Sequence, residues 1–98
     1  MCGVSLIHEL KIWPEHFDNV VAFKKTFEIR KNDRDFRVGD QAVLRRYDPD
    51  KKIYTGETCQ IYIPHILFGA GTNWGLDKDS CILSLKVLLI NGEIPNGQ

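Results

Sequence analysis

Residues 24–36, KKTFEIRKNDRDF, place eight charged side chains and two phenylalanines in thirteen positions. The cations are Lys24, Lys25, Arg30, Lys31 and Arg34; the anions are Glu28, Asp33 and Asp35. On an extended chain, residues two apart lie about 6.5 Å from one another and share a face. Glu28 can therefore orient Arg30 or Lys25 through charge-assisted hydrogen bonds. A guanidinium held in this way is preorganised for a planar anion or the edge of a base. The same charges also suit an ion-pair network that ties a strand to a small core. Spacing alone leaves both readings open.

No other constellation offers comparable chemistry. Cys2, Cys59 and Cys81 form an odd set without CxxC spacing, which fits a reducing compartment and argues against a disulfide framework. Cys59 and Cys81 are expected to be small buried residues. His8, His16 and His65 make no metal-ligand spacing with each other or with the cysteines, so no metal and no other cofactor is expected. Cys59 and His65 sit six apart on one expected strand, about 20 Å from each other and too far for a catalytic pair. The segment GAGTNWG (69–75) is glycine-rich, but it does not open a helix, and Asp77 and Asp79 follow it. It reads as a flexible loop rather than a phosphate cradle, with Trp74 placed where it could fold back or stack on a base.

Composition narrows the partners. The formal charge is zero, yet residues 24–46 carry eight basic and four acidic side chains, leaving the remainder at −4. A neutral chain with a basic middle permits a local anion site rather than indiscriminate coating of nucleic acid. No apolar run approaches the ~20 residues that span a bilayer. The start of the chain shows neither a secretory pattern nor a glycine directly after Met1 for myristoylation. These features predict a monomeric cytoplasmic protein without membrane attachment.

The elements that must position the charged stretch follow from periodicity. Residues 5–12 read as a strand with Leu6, His8, Leu10 and Ile12 on one face. Residues 13–25 read as a helix, with Pro14 at its first position, Glu15 in its first turn, and an apolar stripe running from Trp13 through Phe17, Val20 and Val21. Residues 26–31 alternate strictly; Phe27 and Ile29 are expected to face the core, and Glu28 and Arg30 the other side. A turn-rich connector (32–40) precedes strands at 41–48, 57–68 and 81–90. The first two are joined by a hairpin around Pro49, Pro64 marks a bulge or edge, and 69–80 is a loop. Residues 91–98 read as a frayed tail. About five strands and one helix in a single domain over residues 1–98 predict a mainly β (α+β) fold, a small barrel plugged by the helix.

The segments HELK (8–11), KKTFEIRKNDRDFRVGD (24–40), LRRYDP (44–49) and YTGE (54–57) resemble a bacterial and phage branch of the ASCH family, within the PUA-like superfamily. The signature G-x-K-x-x-E-x-R is met here by Phe23, Lys25, Glu28 and Arg30, with Phe23 in place of the glycine. That glycine normally ends the helix in a left-handed conformation; Phe23 is expected to lengthen the helix slightly. The resemblance implies a PUA-like barrel with a cleft beside the first helix, binding RNA or a nucleotide-like ligand. Lys25 and Arg30 would meet phosphate or a base carbonyl, Glu28 would orient them, and Lys11, Asn32 and Arg34 would line the rim. Some relatives resemble amidohydrolases of acylated cytidines that use Lys, Thr and Glu. Glu28 stands where that branch has Thr, so the resemblance implies no such turnover and no catalytic residue. Two other readings stay open. One is a small hydrolase of modified nucleosides or RNA with Lys25 and Glu28 as acid–base pair. The other is a phage or mobile-element protein that binds a host protein through its basic face. On the first reading, Arg30 is expected to be largely solvated while the cleft is empty.

Overall fold

Alternating runs make strands here, but they sort into two sheets. In the computed structural model, which describes residues 7–71 and 75–95, the elements in chain order are β1 (Ile7–Ile12), α1 (Pro14–Val21), β2 (Phe27–Lys31), β3 (Gln41–Asp48), β4 (Ile53–Tyr62), β5 (Ile66–Phe68), β6 (Ser80–Ser84) and β7 (Lys86–Ile90). One sheet has the order β1-β3-β4-β7, the other β2-β6-β5. Only β1 and β3 run parallel; the other pairings are antiparallel.

In place of the expected five-stranded barrel, the described residues form seven strands in two open sheets. Two of the expected strands each switch sheet partway. Pro64 has no N–H to give a ladder, so the run after β4 leaves the first sheet there and resumes as β5 in the second. Ile63 closes the corner, its N–H donating to the Asp40 carbonyl at 2.9 Å and its own carbonyl accepting from Gly39 at 2.9 Å. The run 80–90 switches at Leu85, whose N–H reaches the Thr26 carbonyl at 2.9 Å. On the opposite side β1 and β2 share no ladder. Side chains span that seam instead: Arg30 Nη2 donates to the carbonyl of Lys11, and Arg34 Nη1 to that of Glu9 at 2.6 Å.

α1 begins as its sequence dictates, with extended Trp13 as N-cap and Pro14 in the first turn. Trp13 itself is 56% exposed and does not join the apolar stripe; Phe17 and Val20 do, both buried. The helix stops at Val21, earlier than expected. Phe23 adopts the left-handed conformation (φ +62) that the signature glycine would take, so it ends the helix rather than lengthening it. Its N–H donates to the Val20 carbonyl and that of Lys24 to the Asn19 carbonyl, both at 3.0 Å, the paired bonds of a Schellman cap. A side chain at this position costs about 1–2 kcal/mol relative to glycine. Phe23→Gly is therefore expected to be about 1 kcal/mol more stable than Phe23→Ala, both having lost the ring. Equal urea midpoints for the two would refute the strain.

The core lies between the sheets and the helix, with Leu10, Ile12, Phe17, Val20, Phe36, Leu44, Ile61 and Leu83 among its largest fully enclosed side chains. His8 is enclosed too, its Nε2–H donating to Asp40 Oδ2 at 2.8 Å and its ring packing on Phe36 with ring centroids 4.7 Å apart. Cys59 and Cys81 are buried free thiols, as expected; Cys2 lies outside the described residues. Burial pushes the Cys59 thiol up from 9.0 to about 11. The native state then keeps a proton that the unfolded chain releases. This contribution is complete below pH 9 and fades as pH rises from 9 towards 11. Urea unfolding of wild type and Cys59→Ala across that window should show the steeper alkaline loss in wild type; parallel curves would exclude it.

Two expected loops have defined ends. The N–H of Gly69 donates to the Ser80 carbonyl and that of Ser80 to the Asp77 carbonyl, each at 2.9 Å, pinching the neck of the 69–80 loop. Trp74 lies outside the described residues. In the expected tail, Asn91–Glu93 forms a turn: the N–H of Asn91 reaches the Thr58 carbonyl, and that of Ile90 the Glu93 carbonyl, at 2.8 Å. Residues 96–98 lie outside the described residues. Among those described, no helix is long and apolar enough to cross a membrane.

Candidate ligand cleft

β2 is turned over relative to the sequence expectation. Glu28 is 8% exposed, whereas Phe27 is 45% and Ile29 55% exposed. Alternation tells which side chains share a face, not which face meets the core. The neighbouring strand decides that. Glu28 pairs across the ladder with Leu83, and Arg30 with Cys81, and both partners are fully enclosed. Glu28 and Arg30 therefore point inward, and Phe27 and Ile29 are left at the surface.

An inward carboxylate is tolerated because it is paired on both sides. Lys25 Nζ donates to Glu28 Oε1 at 3.0 Å, and Arg30 Nε to Glu28 Oε2 at 3.3 Å. The side chains of Lys25, Glu28 and Arg30 are only 16%, 10% and 21% exposed. The expectation of a largely solvated Arg30 does not hold. Its second contact, with the Lys11 carbonyl, fastens it to β1.

Beside this triplet lies a cleft of about 660 Å³ between α1 and β2. Lys24, Lys25 and Glu28 line one part, His16 and Asn19 of α1 another, and Phe27 with Ile29 forms an apolar wall. The Lys25 ammonium also lies 3.0 Å from His16 Nδ1. An ammonium has no lone pair, so Nδ1 must accept, which leaves the imidazole hydrogen on Nε2. The same ammonium stands 5.5 Å from the centre of the Phe27 ring. The Schellman cap sets this geometry, since the Lys25 N–H shares the Asn19 carbonyl with that of Lys24, both at 3.0 Å. Among the described residues no cluster of three metal-ligating side chains occurs.

Of the six residues expected at a site, Lys25 and Glu28 line the cleft and Arg30 stands behind them. Lys11 touches the group only through its carbonyl; its ammonium lies 4.2 Å above the Tyr47 ring. Arg34 is spent on the Glu9 carbonyl. Asn32 is folded into the connector, where its Oδ1 accepts the Phe36 N–H at 3.3 Å. Sequence reasoning missed His16, Asn19 and Phe27 as lining residues. The spacing of His16 and Asn19, three apart on one helix flank, was the available signal for that wall.

With this geometry in view, likenesses to known proteins can be set beside it. Residues 7–85 match the family described as "Domain of unknown function (DUF3850)". An uncharacterized 12.9 kDa protein in the GpA 3′ region of Escherichia phage P2 is 33% identical over 63 residues, 64% of this chain and 56% of that protein. The chain thus aligns with little more than half the length of that relative. The crystal structure of a ZmASCH mutant protein from Zymomonas mobilis superposes with a TM-score of 0.58 at 17% identity, over 82% of this chain and 67% of that one. At that identity the likeness is one of fold.

Proposed function

The chain belongs to the DUF3850 family, and from that premise we propose that it is an ASCH-like, PUA-like domain, single over residues 1–98, whose cleft binds RNA or a nucleotide-like ligand. One observation carries the reading. A lysine ammonium is fixed by a buried carboxylate and an imidazole, in a cleft whose other wall is half-exposed phenylalanine and isoleucine. A nucleotide needs a cation for phosphate and an apolar face for its base. The cleft offers both within the 300–1,000 Å³ usual for small-molecule sites. Lys24 and Lys25 meet the phosphate, Phe27 stacks on the base, and His16 donates from Nε2. Glu28 keeps free lone pairs for an exocyclic amine. Arg30 and Lys11 support this arrangement from behind. On this reading the protein works in the cytoplasm as a monomer, and the phage P2 relative favours a phage-borne origin.

Calorimetric titration with the four 5′-ribonucleoside monophosphates tests it. A charge-assisted bond is worth about 1.5–3 kcal/mol, so Lys25→Ala is expected to weaken binding about 10- to 100-fold. Wild type that binds none of the four, or a variant that binds as well, would overturn the assignment.

The same contacts favour a second reading. Lys25 held between His16 and Glu28 is also a proton-transfer array, which suits hydrolysis of modified nucleosides. Because Glu28 stands in the place of the threonine, acylated cytidine is expected to pass through unchanged. Chromatographic detection of deacylation that Lys25→Ala removes would establish the enzyme instead.

A further inference from the structure

We propose that the outer face of the four-stranded sheet carries a second contact for single-stranded nucleic acid, a stacking platform made by Tyr47, Tyr54, Arg45 and Lys11. The ligand class rests on the cleft reading; the platform itself rests on separate residues. Tyr47 and Tyr54 face each other across β3 and β4, with ring centroids 5.0 Å apart in an edge-on arrangement. The Arg45 guanidinium lies 4.2 Å above the Tyr54 ring, and the Lys11 ammonium 4.2 Å above that of Tyr47. Lys11 and Arg45 are themselves register partners in the parallel pair β1–β3.

None of these four belongs to the core cluster. Tyr54 is 42% exposed, and the Arg45 side chain 43%. The face also holds a carboxylate, Glu9, but its Oε1 reaches Arg45 only at 3.5 Å. Nearby Arg46 is taken up by Asp18 and Glu57. Among the described residues Lys11 has no carboxylate within ion-pair distance, so a phosphate can take that place. Stacked planar groups beside cations are how sequence-tolerant strand binders hold successive bases, and arginine planes stack on bases as aromatic rings do. The platform is linked to the cleft through the backbone of β1: the Lys11 carbonyl accepts from Arg30, which grips Glu28. On this proposal a strand several nucleotides long engages both sites, with one nucleotide in the cleft and other bases on Arg45 and Tyr54.

The test is fluorescence anisotropy with a labelled single strand of about ten nucleotides, a length within the usual site size, made once as RNA and once as DNA. Cytidine monophosphate, which fills only the cleft, is titrated in parallel. Tyr54→Ala is expected to weaken the oligonucleotide about 5- to 100-fold and leave the mononucleotide affinity unchanged, with Tyr54→Phe near wild type. Lys11→Ala is expected to flatten the salt dependence by about 0.7 in slope. Preference for RNA would show that the sugar is read, and equal binding that stacking suffices; both fit the platform. Wild-type oligonucleotide affinity in Tyr54→Ala, or equal weakening of oligonucleotide and mononucleotide, would overturn it with the cleft reading intact. Loss of mononucleotide binding as the only effect of Lys25→Ala would support the cleft and count against the platform link. Wild type that holds neither strand would overturn it.

Discussion

Replacing Glu28 by alanine is expected to lower the melting temperature by roughly 12 °C or more. Among the described residues, this carboxylate is the only anion between two cations whose side chains are 16% and 21% exposed. Without it, the Lys25 ammonium keeps His16 and the Arg30 guanidinium keeps the Lys11 carbonyl, but neither partner carries a counter-charge. Breaking a buried pair from one side costs about 3–5 kcal/mol, and each kcal/mol is worth about 4–8 °C in a domain of this size. Glu28→Gln keeps the shape but turns an amide N–H towards one of the cations, so it should lose nearly as much. Circular dichroism melts of both variants check this. A fall of only a few degrees in either would mean that the cations escape to solvent, and that the triplet is a surface feature.

The second large effect is expected at Gly69. A β-carbon added there would lie 1.9 Å from the carbonyl oxygen of Asp77 and 2.8 Å from its carbonyl carbon. Both atoms are backbone, so no side chain can rotate away. The requirement is for space, set by the hydrogen bonds that pinch Gly69, Asp77 and Ser80 together. Gly69→Ala must push the loop neck off the end of β6, where Phe68 pairs with Cys81. A cost of about 3 kcal/mol is expected, at the upper end for overpacking. It would be read in urea unfolding and in faster hydrogen exchange of the Gly69 and Ser80 amides. Unchanged exchange at both would show that the neck moves outward freely.

Much of the scaffold was legible in the sequence. Alternation located the residues of β1, β2 and β3, Pro14 fixed the start of α1, and the charged stretch pointed to Lys25, Glu28 and Arg30. What stayed hidden was of two physical kinds. Direction was one: nothing within FEIRK says whether Phe27 or Glu28 faces inward, because that is settled by Cys81 and Leu83 on a strand more than fifty residues away. Continuity was the other: an apolar run such as 81–90 looks unbroken whether it stays in one sheet or changes sheets at Leu85. Phe23 was not hidden but misjudged. Its type argued against a left-handed residue, yet the cap formed around it, because the bonds to Val20 and Asn19 outweigh the strain of one side chain. The misjudged Arg30 follows from the first kind, since a residue assigned to the wrong face is assigned the wrong solvent.

The seam between β1 and β2 bears on how the protein avoids its own kind. β1 is the outermost strand of its sheet, and the carbonyls of Glu9 and Lys11, two residues apart, point to the same side. Those are acceptors that an incoming strand would seize in order to extend the sheet. Arg30 and Arg34 occupy both. Natural sheets guard their margins with charge and with covering groups, and here two guanidinium groups do so with hydrogen bonds rather than by repulsion. Loss of both arginines would therefore surface first as clouding that grows with protein concentration, at temperatures where the dilute chain is still folded. The density of charge in KKTFEIRKNDRDF serves colloidal solubility as well as any ligand.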